Sequence, residues 1–181
     1  MNKHLRKNSG AFTLIEMIVA MMLLGLLSGV LVSIISVNFN VMTNISERKK
    51  LVTRGMLAIN LFERELGMMK TADQILYADD DQIKFTDAYG NTWEYIISGT
   101  ELTRQEIGVG SAQTLAAPLL NAETKFSYFA QDNSGLTSFP LSVGNRALVT
   151  LVQLVLVMDH EGSGIPLMTA TYPENLKVYN H

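Results

Sequence analysis

At 181 residues, 48 % apolar and 17 % charged, with a formal net charge of −3, the chain has the length of one domain and no general attraction for nucleic acid. It contains no cysteine, which excludes a disulfide framework, a thiolate zinc site and a cysteine nucleophile. The apolar excess is gathered in one stretch near the N-terminus, so neither a bundle of membrane helices nor a disordered chain fits.

In chain order, the first element is a basic leader. Residues 1–11 hold Lys3, Arg6 and Lys7 and no acid, so losing them would take the net charge from −3 to −6, three cations fewer. Met17 to Val37 then runs 21 residues without a charge. As a helix that run reaches about 30 Å, the thickness of a bilayer's hydrocarbon core. Uncharged sequence continues to Ser46. The cations of the leader predict a cytoplasmic N-terminus and an exported chain beyond about Asn40. A secretory signal peptide has an apolar run of about 7–15 residues closed by a small-residue cleavage site; this run is longer and lacks that site. A plain signal anchor explains the length and the charge asymmetry. It does not explain Glu16, a carboxylate at the edge of an apolar helix, where an acid is costly and usually has a partner.

No proline precedes Pro118, so the helix is free to continue past the membrane. Val52, Met56, Ile59, Phe62 and Leu66 recur every three or four residues and predict a stripe packed on a sheet, with Arg48, Lys50, Arg54, Arg64 and Glu65 mostly on other faces. Gly67 is the predicted stop. One helix from Phe12 to Leu66 is expected, roughly 80 Å if straight.

After Asp73 the apolar period changes to two. Ile75/Tyr77, Ile83/Phe85, Trp93/Tyr95/Ile97 and Phe126/Tyr128 read as half-buried strands, with turns at Asp79-Asp80-Asp81, Tyr89-Gly90-Asn91 and Ser98-Gly99. Ala147 to Met158 is apolar on both faces apart from Thr150 and Gln153, which predicts a central strand covered by the helix. Asp159 to Gly164 is expected to turn, and Pro166 to Tyr172 to return as a strand. The fold class is therefore α+β, a long helix on an antiparallel sheet. It divides into a basic leader (1–11), a membrane-spanning helix (12–38), its amphipathic continuation (39–72) and a β-rich head (73–181).

Catalysis finds little to work with. The histidines are His4, His160 and His181, and Gly162-Ser163-Gly164 beside His160 lacks the nucleophile-elbow pattern. Asp159, His160 and Glu161 are consecutive turn residues, which seldom converge on one ion. Asp79, Asp80 and Asp81 lack the alternate spacing of a calcium loop and read as a solvated turn. Arg48, Lys49 and Lys50 read as a headgroup contact or a solvated helix face, since no aromatics are interleaved as in a nucleic-acid track. Neither a cofactor nor a metal site is expected.

The string Ser9-Gly10-Ala11-Phe12-Thr13-Leu14-Ile15-Glu16, directly behind a basic leader, resembles the signature of type IV prepilins. The resemblance is specific from Lys3 to about Val37. It implies that a membrane aspartyl protease, the prepilin peptidase, cuts on the cytoplasmic side and methylates the new amino terminus. The family usually begins its mature chain with Phe and places Glu fifth. That register puts the cut between Ala11 and Phe12, although the family's usual residue before the cut is Gly; a cut after Gly10 would leave Glu16 sixth. The resemblance further implies that Glu16 pairs with the amino terminus of a neighbouring subunit and sets axial register. Looser similarity links Glu101-Leu102-Thr103-Arg104, Phe126-x-Tyr128 with Asp132 and Gly135, and Tyr172-Pro173-Glu174-Asn175-Leu176 to minor pilins and pseudopilins of the J/W type. A C-terminal disulfide loop, usual in many subgroups of major pilin, is impossible here.

The reading is then a non-enzymatic minor pilin or pseudopilin that initiates, caps or modifies a type IV pilus or a type II secretion pseudopilus. Its implied partners are the prepilin peptidase, other major and minor pilins or pseudopilins, the inner-membrane assembly platform and membrane lipid. Its implied place is the inner membrane, single-pass, with the head periplasmic. The alternative is a membrane-anchored periplasmic binding protein that does not polymerise.

Overall fold

The computed structural model describes residues 13–172. The leader, the processing residues Gly10, Ala11 and Phe12, and the segment from Pro173 onward lie outside the described residues. Helix α1 runs Leu14–Gly67 without a break, close to the predicted span. The described residues fall into two compact units that divide between Ser46 and Glu47.

The first unit is helix from Leu14 on, and every one of its described side chains is exposed. It is long and apolar enough to cross a membrane. Its polar side chains fold back on their own helix. Ser28 donates to the Leu24 carbonyl at 2.7 Å, Ser33 to Gly29 at 3.0 Å, Asn38 to Ile34 at 2.9 Å and Thr43 to Phe39 at 2.9 Å. In hydrocarbon, where water offers no replacement, such internal bonds remove the cost of a bare hydroxyl or amide.

In the second unit, the remainder of α1 lies on two antiparallel sheets. The first has the strand order β1-β2-β3-β4-β5, a simple meander of Ile75–Ala78, Gln82–Thr86, Thr92–Ser98, Glu101–Glu106 and Gln113–Ala116. The second has the order β7-β6-β8-β9, built from Gly135–Leu136, Lys125–Phe129, Leu151–His160 and Ser163–Thr171. A short helix α2 spans Val143–Arg146. The strand pairs expected from period-two alternation are β1, β2, β3 and β6. The split into two sheets, and strands β4 and β5, were not anticipated.

Phe62 stands where the three layers meet. Its ring is edge-on to Tyr95 of β3 at 5.1 Å and tilted against Phe126 of β6 at 5.6 Å, and it is wholly buried. The two sheets are joined through the β1–β2 turn. Phe126 donates its backbone N–H to the Asp80 carbonyl at 2.8 Å, Tyr128 its hydroxyl to the Asp79 carbonyl at 2.9 Å, and Leu141 its N–H to Ala78 at 2.8 Å. The second sheet thus begins on main-chain acceptors that the first leaves over.

Three expectations are corrected. Met56 is 48 % exposed, and Gly55 and Ala58 take the contact face in its place. A Cβ at position 55 would overlap the end of the Leu167 side chain, with Met158 close behind, so glycine lets these side chains lie against the helix and any larger residue must move them. Glu65, assigned to an outer face, is buried at 3 % exposure. The long strand starts at Leu151, not Ala147, because Arg146 and Ala147 donate back to Ser142 and Val143 and wind the chain into α2 first. That strand is interior to its sheet and covered by α1, as expected. One face is fully buried (Val152, Leu154, Leu156, Met158), whereas Leu151, Gln153 and Val155 on the other are half-buried.

Candidate functional site

Glu16 is the third residue of α1, three positions after Thr13. Its carboxylate accepts from the Thr13 N–H at 2.9 Å and from the Thr13 hydroxyl at 2.9 Å, and the Glu16 N–H donates to the Thr13 hydroxyl at 3.4 Å. This is a reciprocal capping box, two orphan donors of the helix start satisfied by the pair. The Thr-x-x-Glu spacing was readable in the sequence and was missed. The arrangement holds the carboxylate, exposed, at the end of the helix whose free N–H groups favour negative charge.

The head holds a second charged constellation that the sequence reading did not find. Glu65 of α1 accepts from the Tyr95 hydroxyl at 2.5 Å and from Arg104 of β4 through Nε at 3.0 Å and Nη2 at 2.5 Å. The Arg104 guanidinium lies 4.0 Å from the centre of the Trp93 ring, and Trp93 Nε1 donates to Asp87 at 3.1 Å. Burial and the neighbouring carboxylate push the Tyr95 hydroxyl far above the ordinary tyrosine range. Arg104 loses solvation, which lowers its pKa, but the Glu65 hydrogen bonds and charge outweigh this and raise it. Asp87 also accepts from the Tyr89 and Asn91 backbone N–H groups. Burial raises its pKa, and the donors around it outweigh burial and hold the carboxyl below its usual range. Among the described residues Glu65 and Arg104 pair with each other and Asp87 is held by four donors, so the constellation ties helix to sheet.

The remaining candidates are turns. Asp79, Asp80 and Asp81 lie with carboxylate oxygens within 4.8 Å of one another. The Asp79 carboxylate is taken by the Tyr77 hydroxyl at 3.0 Å and the Asp80 N–H at 2.9 Å, while the Asp79 and Asp80 carbonyls accept across the sheet seam and the Asp81 carbonyl accepts from Ile97 within the first sheet. Burial first, then the charge of Asp79, raises the Asp80 pKa. Asp159 accepts from the Gly162 N–H at 2.8 Å and closes the β8–β9 hairpin, where Glu161 and Gly162 take positive φ. His160 lies in that hairpin without a serine–carboxylate relay among the described residues.

Against known proteins, residues 6–32 match the family model described as the prokaryotic N-terminal methylation motif. The chain carries a prepilin-type N-terminus. The matched stretch contains Gly10, Ala11, Phe12 and Glu16 and ends within the apolar half of α1. The head lies outside it, so the prepilin-type motif speaks for processing and for the helix and leaves the head's role open. No curated protein matches the chain. Joined to the motif, the architecture of a long apolar N-terminal helix followed by an antiparallel β head is pilin-like.

Proposed function

We propose that the chain is a minor pilin or pseudopilin, a non-enzymatic subunit that initiates, caps or modifies a type IV pilus or type II secretion pseudopilus. The observation that carries the reading is the prepilin-type motif at the start of a 54-residue helix that continues into the core of a β head. In this reading the precursor spans the inner membrane once, leader inside and head outside. The prepilin peptidase cuts between Ala11 and Phe12 and methylates Phe12, and Glu16 meets the amino terminus of a neighbouring subunit. The capping box supports that role, because it fixes the carboxylate at the helix end without consuming its charge. A chain without cysteine gives the head no disulfide-closed loop, which fits a minor subunit better than a major one.

Co-expression with a prepilin peptidase followed by intact-mass analysis of the membrane fraction tests the reading. A product beginning at methylated Phe12 is expected. A product beginning at Ala11 would move the cut and the register of Glu16. A full-length product would leave a membrane-anchored protein that does not polymerise. Ala11→Gly should be processed at least as well as the parent, and Ala11→Leu should accumulate precursor.

A further inference from the structure

Arg48, Lys49, Lys50 and Arg54 are used by nothing described so far. All four are exposed on α1, immediately beyond the uncharged stretch that ends at Ser46. None takes part in an ion pair among the described residues, where the salt bridges are Lys84–Glu94 and Arg104–Glu65. They stand out in a chain whose net charge is −3. Successive residues of a helix turn by about 100°, so Arg48, Lys49 and Lys50 point in three directions, with Arg54 falling near Lys50. The charge therefore encircles the helix. A protein partner would contact one face, whereas a surface that the helix passes through contacts all of them.

Spacing agrees. From Glu16 to Arg48 the helix rises by about 48 Å, and a bilayer with its headgroups is about 40–45 Å thick. The residues between Asn38 and Ser46, with Asn40, Thr43 and Asn44 among them, have the mixed character of the interfacial layer. With Glu16 at one face, the cations arrive at the outer phosphates of the other. On one side they have acidic company. Lys50 and Arg54 line an open depression of about 310 Å³ with Glu47, Leu51, Pro118, Asp159, His160 and Glu161. Arg48 and Lys49 do not line it.

We propose that Arg48, Lys49, Lys50 and Arg54 form a collar that binds the headgroups of anionic phospholipids on the exported face of the membrane. Arg48 and Lys49 contribute most, because Asp159 and Glu161 already offset part of the charge of Lys50 and Arg54. The inference rests on the membrane-spanning part of the proposed function and not on polymerisation. Its consequence is a head held at a fixed height until the subunit is drawn from the lipid.

The full chain is reconstituted into vesicles of phosphatidylethanolamine with a minor share of phosphatidylglycerol, then extracted with its surrounding lipid in polymer nanodiscs for lipid analysis. Phosphatidylglycerol should be enriched about two- to fourfold over the bulk, as basic residues at an anionic surface require. The enrichment should fall most of the way to the bulk value in R48Q/K49Q and less in K50Q/R54Q. Enrichment that survives in R48Q/K49Q/K50Q/R54Q belongs to Lys3, Arg6 and Lys7 of the leader and overturns the proposal, as does a bulk composition around the parent protein. Inorganic phosphate should reduce the enrichment no more than chloride of equal ionic strength. A selective loss in phosphate would assign the cations to a free anion and overturn the lipid reading. A chain that fails to enter vesicles at all would overturn the membrane-spanning reading together with the collar.

Discussion

Glu65, Arg104 and Tyr95 allow a prediction whose sign and size both follow from burial. The Glu65 side chain is 4 % exposed and that of Arg104 17 %, so the pair is desolvated unequally. Glu65→Ala orphans the buried Tyr95 hydroxyl, at about 1–3 kcal/mol, and strips Arg104 of its carboxylate. Arg104 keeps its place on Trp93 and some access to water, so this second loss is discounted to about 1–2 kcal/mol, and the total comes to about 3. Arg104→Ala leaves the more deeply buried partner with Tyr95 as its only remaining donor and removes the stack on Trp93. Its cost is about 4 kcal/mol. E65L/R104M replaces both charges with apolar groups of similar reach and should be less destabilised than Arg104→Ala, by about 1–2 kcal/mol from the parent, chiefly for the orphaned Tyr95 hydroxyl. The measurement is urea unfolding of the full chain in detergent. Trp93 is the sole tryptophan and lies under Arg104, so its fluorescence reports loss of this contact directly. Single variants within about 0.5 kcal/mol of the parent, or a double variant whose cost equals the sum of the singles, would refute the claim that the three groups act as a unit.

Other outcomes are specific to other parts of the molecule. Gly55→Leu should destabilise the head by about 2–4 kcal/mol in the same unfolding assay, because the new side chain must displace Leu167 and Met158, whereas Met56→Ala on the exposed flank should cost under about 1. The depressed pKa of Asp87 means that its carboxylate contributes stability in full above its unfolded value of about 3.9, and that this is lost as pH falls through the lower folded value. Asp87→Asn should therefore cost about 2 kcal/mol at neutral pH, with the deficit closing as pH falls through the depressed folded value, in urea midpoints taken across the range. Glu16→Gln separates two roles of one side chain. Glutamine can replace glutamate in a capping box but cannot pair with an amine, so insertion should persist while crosslinking to sister subunits falls; unchanged crosslinking would assign Glu16 to the cap.

The N-terminal half was legible because its information is local. A charge-free run long enough to cross a membrane and the string around Glu16 that the methylation-motif model matches can be read without knowing any distant residue. The helix stop at Gly67 and strands β1, β2, β3 and β6 were likewise carried by period and turn chemistry. The head's remaining features were decided by tertiary structure. Strands β4 and β5, whose outer residues are mostly polar, gain their place by pairing, β4 with β3 and β5 with β4, which no local pattern announces. Ala147 to Val149 has the composition of a strand, but bonds back to Val143, Asn145 and Arg146 wind it before β8 begins. Glu65 lies within a helical stretch whose charges the sequence turns outward. It is inside because Arg104, 39 residues on, and Tyr95, 30 residues on, arrive to neutralise and bond it. Met56 and Gly55 exchange roles for the same reason: hydrophobicity predicts the larger side chain inside, but the Leu167 and Met158 side chains lie against the helix at position 55, where glycine leaves them room.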